Sequence, residues 1–303
     1  MSAVTELWSD PLLRRALIEV VIVGALGGWI GVHVVLRRLS FFTVAIAHGA
    51  FPGVVLASLA GVSLLLGAGG FAVVIVLVTA ALGTVGRLDD SSAIGVVLAG
   101  SLALGTLLLS TTNGSSRDLT AFLVGSVLSV GTADVVATGI IGAVVVVALL
   151  AVHKELVLGA FDPEGAAAMG YPGARLDLLL LAAVAAVVAT AVPAVGVVQA
   201  VALLVTPAST ARLWSDRVLP TMALSAAIGA LSGALGLMAS RWWDVAAGGS
   251  IVMASSALFV VSFVLAPRHG IRARPRHPRP RRHELSDRAG LRAAAPAPAR
   301  HGG

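Results

Sequence analysis

The side chains able to do chemistry here are few, and most stand where hydrocarbon should surround them. His48 lies in "AHGAFPG" (47–53), inside the apolar run "FFTVAIAHGAFPGVVLASLAGV". Gln199 lies in "VGVVQAVALLV" (195–205), and Glu19 and His33 lie in the first apolar run. A neutral imidazole offers a nitrogen lone pair to zinc and other borderline transition ions, and an amide oxygen can assist it. Ionisable groups inside membrane segments face the bundle interior or a water-filled cavity. Two readings of His48 therefore stand: a ligand on an ion path, or a packing residue hydrogen-bonded to its surroundings. Pro52 and Gly53 follow within about one turn, where a local break of the helix would turn backbone carbonyls toward such a path. Around Gln199 the choice is similar. Thr206, Pro207, Ser209 and Thr210 interrupt the far end of its run, as in a kinked packing helix or a pathway lining.

A second kind of chemistry, docking, is offered by "HKELVLGAFDPEGAAAMGYPGARLD" (153–177), the longest polar connection between apolar runs. Asp162, Pro163 and Glu164 have the order of a helix start, with Asp as N-cap, Pro first in the helix and Glu in the first turn. A short helix through Gly165 should then end near Gly170 and Pro172. An ordinary connecting helix and a helix that inserts into a partner both fit, since its alanines permit close approach.

The elements that must position these residues are membrane helices. The chain has 303 residues, 57% of them hydrophobic and 12% charged, with a mean hydropathy of +0.96. That composition indicates a polytopic membrane protein, and runs of about twenty apolar residues read as helices rather than barrel strands. Spans are expected near 16–36, 42–60, 67–86, 91–110, 132–152, 175–192, 194–210, 218–239 and 249–266, eight or nine in all, depending on whether Pro193 splits one unit in two. The stretch 119–130 reads as a short re-entrant or interfacial helix. The start, "MSAVTELWSDPLLRR", lacks the pattern of a cleaved signal, so the first apolar run should be a retained span. With no cysteine, neither disulfides nor thiolate metal sites can form.

Charge divides the chain into residues 1–266, the membrane body, and 267–303, an Arg/Pro-rich tail expected to be disordered. Ten of the 21 basic residues lie in the tail against only Glu284 and Asp287, so the basic balance belongs to the tail alone. These arginines suit anionic membrane lipid, and no nucleic-acid partner is expected. The positive-inside rule places the C-terminus in the cytoplasm, together with the loops that hold Arg37/Arg38, His153–Arg175 and Arg212/Arg217.

Five blocks, in order, carry a resemblance: "RRLSFFTVAIAHGAFPGVVLA" (37–57), "FLVGSVLSVGTADV" (122–135), "FDPEGAAAMG" (161–170), "AVGVVQAVALLVTPASTARL" (194–213) and "SGALGLMASRWWDVAAGGSIVM" (232–253). Together the chain resembles the membrane permease subunit of ABC importers for zinc, manganese and related divalent metals. The resemblance implies an all-α, type II-like importer permease in the cell (plasma or inner) membrane. It implies work as a homodimer, or as one of two paired subunits, with cytoplasmic ABC ATPase subunits and an extracytoplasmic metal-binding protein. No permanently bound cofactor is implied, only a transported divalent metal such as zinc or manganese. It makes the 161–171 helix, with Asp162, Pro163, Glu164, Gly165 and Gly170, the coupling helix. It makes His48 a metal transit residue, with Gln199 a possible helper. Family members usually carry an aspartate four residues before this histidine; here that position is Val44.

The chain has no GxxxxGK[ST] loop, and its only lysine, Lys154, follows His153. It should not cradle nucleotide phosphates in that manner. The competing reading is an ATP-independent metal carrier or channel, which would need a denser set of intramembrane charges. An intramembrane protease would need HExxH, and "HKE" (153–155) has one histidine.

Overall fold

Asp10 opens the first helix as its N-cap, its carboxylate accepting from Leu12 N at 2.9 Å, with Pro11 in the first helical position. The computed structural model describes residues 10–84, 90–110, 125, 127–269 and 271. Within them lie eleven α-helices: α1 (Pro11–Leu36), α2 (Ser40–Ala60), α3 (Leu64–Thr84), α4 (Asp90–Ser110), α5 (Thr132–Ala151), α6 (His153–Phe161), α7 (Pro163–Ala168), α8 (Gly173–Val195), α9 (Val197–Arg212), α10 (Val218–Trp243) and α11 (Ala247–Leu265). A 3₁₀ turn at Val127–Ser129 precedes α5. The fold is all-helical, as expected.

Six helices are long and apolar enough to cross a membrane: α1, α2, α5, α8, α10 and α11. Shorter apolar stretches lie in α3 (Leu64–Thr79), α4 (Ile94–Ser110) and α9. Each expected span coincides with one of these helices. The break between the sixth and seventh comes at Gly196, φ +91°, and not at Pro193, which continues inside α8. The expected segment 119–130 falls mostly outside the described residues, and so does nearly all of the 267–303 tail.

Small residues let the helices approach. Gly24 and Gly28 of α1 lie one turn apart and meet Gly229 and Ser225 of α10. A Cβ on Gly24 would strike the Gly229 carbonyl, and a Cβ on Gly229 the Gly24 carbonyl. Ser225 donates to Gly28 O at 2.5 Å. Gly31 is pressed in the same way against Leu204 O of α9. Lipid tails are as apolar as leucine, so close backbone packing and interhelical hydrogen bonds hold such helices together where burial cannot. Around the perimeter, large apolar side chains face outward, among them Leu66, Val96, Val147 and Met253, as a hydrocarbon surrounding requires. Trp242 and Trp243 end α10 with 63% and 72% of their surface exposed, as suits residues at a membrane–water boundary.

Candidate functional site

His48 is the ninth residue of α2, a rise of about 12 Å from Ser40 at 1.5 Å per residue, which puts it near the middle of the helix. It and Val44, one turn earlier, are half-buried on a helix whose neighbouring positions are buried. The His48 Nδ1 lies 3.0 Å from Val44 O. A carbonyl can only accept, so this bond sets Nδ1 as the protonated nitrogen and leaves the lone pair on Nε2. Metal-binding histidines are commonly oriented through the other ring nitrogen in this way.

The sequence suggested a local break at Pro52 and Gly53, but α2 is continuous from Ser40 to Ala60. A proline inside a helix removes one donor, the one that would serve the carbonyl four residues earlier. For Pro52 that carbonyl is His48's own. The sequence "HGAFPG" thus puts an imidazole and a carbonyl without its i+4 donor on one residue, inside a continuous helix. Gly53 has a separate reason. A Cβ there would strike the Gly67 carbonyl of α3, and Gly67 meets Gly53 in return, so the pair lets α2 and α3 touch backbone to backbone.

Gln199 is buried in the first turn of α9, and its amide packs against Gly248 of α11, where any Cβ would meet it. It fills the contact between α9 and α11. It belongs to the break at Gly196, whose positive φ only glycine adopts readily.

The docking set comes together as a unit separate from His48. Asp162 accepts from Gly165 N at 2.8 Å, Pro163 opens α7, Glu164 lies in its first turn, and the chain leaves through Gly170 at φ +81°. The expected helix start and stop are both present. Gly165 is needed there because a Cβ would collide with the capping carboxylate of Asp162. Of α7's six residues only Ala166 is buried. Phe161, Met169 and Tyr171 beside it are exposed at 64%, 60% and 39%. The helix is thus held by its cap more than by packing, and it is flanked by exposed apolar side chains.

Sequence reasoning missed what holds this unit in place. Arg37, counted there only as a loop charge, is 13% exposed and forms an ion pair with Asp177 of α8. It also donates to Leu156 O of α6 at 3.1 Å. One guanidinium thus ties the end of α1 to the helices on either side of α7. The available signal was its position directly after an apolar span, but its partners lie 119 and 140 residues away. At the same end of the bundle, Arg268 and His269 pair with Asp216 in the α9–α10 loop, at 3.4 Å and 2.8 Å.

Comparison with known proteins gives a consistent picture. The family described as "ABC 3 transport family" matches residues 9–266. A manganese transport system membrane protein, MntC, of Halalkalibacterium halodurans is 35% identical over 269 residues, covering 89% of this chain and 92% of its own. A manganese import system permease protein, ScaB, of Streptococcus gordonii is 35% identical over 256 residues, covering 84% of this chain and 92% of its own. Among solved structures, PsaBC from Streptococcus pneumoniae in complex with Fab superimposes with a TM-score of 0.80 at 32% identity, over 88% of this chain and 96% of that one.

Proposed function

The chain belongs to the ABC 3 transport family, and from that premise we propose that it carries manganese, or a closely similar divalent cation, through the membrane past His48. It is the membrane permease subunit of an ABC importer for divalent metal, and ATP hydrolysis belongs to a separate subunit. Manganese is favoured over zinc because relatives named as manganese permeases cover most of the chain.

All nine apolar helices cross the membrane, the three shorter ones included, and the C-terminus is cytoplasmic. Support comes from the clustering of Arg37, Leu156 and Asp177 at one end of the bundle, with α7 between them. The positive-inside rule assigns that end to the cytoplasm. The exposed α7, with Asp162, Pro163, Glu164, Gly165 and Gly170, docks on the cytoplasmic ATPase subunit. An extracytoplasmic metal-binding protein delivers the ion to the opposite end.

Two copies of the chain form the pathway, with His48 of each near mid-membrane, where transporter sites are usually built. The observation that carries this is the single orientation of His48: Nδ1 is held by Val44 O, so Nε2 is the ligand. Val44 supplies no carboxylate, so the site holds the ion loosely and releases it readily, as a transit point should. Gln199 helps by fixing the α8–α9 break beside α11 and not by direct ligation. The test is manganese uptake in cells whose only such permease carries His48→Ala. Uptake should be lost while the protein still reaches the membrane; normal uptake would make His48 a packing residue.

A further inference from the structure

A cavity of about 440 Å³ opens at the end of the bundle where α2 meets α3 and α8 meets α9, and Glu19 of α1 reaches its wall. We propose that this cavity binds a hard divalent cation, held by Glu19 and Asp134 with hydroxyl help from Thr138 and Thr190. Glu19 is 1% exposed; its Oε1 accepts from Thr138 at 2.8 Å, while Oε2 is buried without a partner among the described residues. A carboxylate oxygen left so in a membrane helix is costly unless something positive meets it.

No Lys, Arg or His is among the described residues that line the cavity. The polar groups that do are Glu19, Asp134, Thr138, Thr190, Ser63 and Ser129, all oxygen donors. Oxygen-only sets select hard ions such as Mg²⁺ or Mn²⁺ over softer ones. Two carboxylates carry the charge that one divalent ion cancels. Asp134 is exposed at the mouth, its Oδ2 accepting from Gly131 N at 2.9 Å, which fixes the side chain at the start of α5. Thr190 spends its proton on Val187 O at 2.8 Å, so its oxygen is left as a donor to an ion. Among the described residues no group of three carboxylates or imidazoles forms, so the ion keeps several waters, as small hard cations do. Binding is accordingly weak and exchange fast. None of the lining residues belongs to the His48 set, and the site stands whether or not His48 is the transit residue.

The experiment is a Mn²⁺ titration of the full-length chain in lipid nanodiscs, with free Mn²⁺ read by electron paramagnetic resonance and Mg²⁺ as competitor. The unmodified chain and His48→Ala should both bind a Mn²⁺ that Mg²⁺ displaces, and Glu19→Gln should lose it. Thr138→Val, which removes the hydrogen bond orienting the carboxylate, should weaken it about 10–100-fold. Asp134→Asn changes only an exposed residue and covers the case in which Glu19→Gln does not fold; it should weaken binding too. Unchanged Mn²⁺ binding in folded Glu19→Gln, or in Asp134→Asn, overturns the proposal, as does loss of the Mg²⁺-displaceable ion in His48→Ala.

Discussion

Asp162→Ala should weaken the docking of this permease on its ATPase, through the helix it caps. The bond lost is the one from Gly165 N, 2.8 Å long, at the start of a helix only six residues long. Removing an N-cap of this type costs about 1 kcal/mol, which shifts a local helix–coil balance by roughly fivefold at room temperature. Elsewhere packing would absorb that loss, but here only Ala166 is buried, and a helix so short has no stability of its own to spare. The cost should therefore appear nearly undiminished as a roughly fivefold weaker docking affinity. Asn caps as well as Asp, so Asp162→Asn should restore the unmodified behaviour. The assay is binding of the purified ATPase subunit to the chain in nanodiscs, beside transport-coupled ATP hydrolysis in reconstituted vesicles. Unchanged affinity in Asp162→Ala would refute the docking role of α7. Equal loss in Asp162→Asn would show that charge, not capping, matters.

Further outcomes follow from the helix packing and from position 44. Val44→Asp should raise Mn²⁺ affinity about tenfold and sharpen the preference for Mn²⁺ over Zn²⁺, since residues one turn apart face one ligand and a contact to a charged group is worth about 1.5–3 kcal/mol. The Val44 carbonyl that orients His48 is untouched by the change; competition uptake with both metals would check it, and an unaltered preference would count against a shared face. Gly229→Leu should force α1 and α10 apart and lower the thermal midpoint of the purified protein, overpacking costing about 1–3 kcal/mol. Gly139→Ala, with open space around it, should not lower that midpoint, since alanine is the better helix former.

The helices themselves were legible because lipid imposes one requirement, about twenty apolar residues with all backbone groups paired internally. The start and stop of α7 were legible for a different reason: Asp162, Pro163 and Gly170 act on their immediate neighbours, so spacing is enough. The α8–α9 break was misplaced because Pro193 removes a single donor while keeping helical φ, whereas Gly196 ends the helix through a φ only glycine takes readily. The same tolerance explains the unbroken α2 at Pro52. What sequence could not show were the pairs that span the chain. Glu19 was visible as an ionisable group in a span, but Thr138 lies 119 residues away. Arg37 looked like any loop charge until Asp177, 140 residues on, was brought beside it.

The glycine contacts joining α1 to α10 and α9 have a mechanical side. Packed helices slide past one another when the side chains between them can exchange rotamers, and where Gly24 meets Gly229 and Gly31 meets Leu204 there is backbone on backbone with no rotamer to exchange. These three helices accordingly form a stator with no internal shear plane. Any rearrangement of the bundle has to be carried by helices turning against that block.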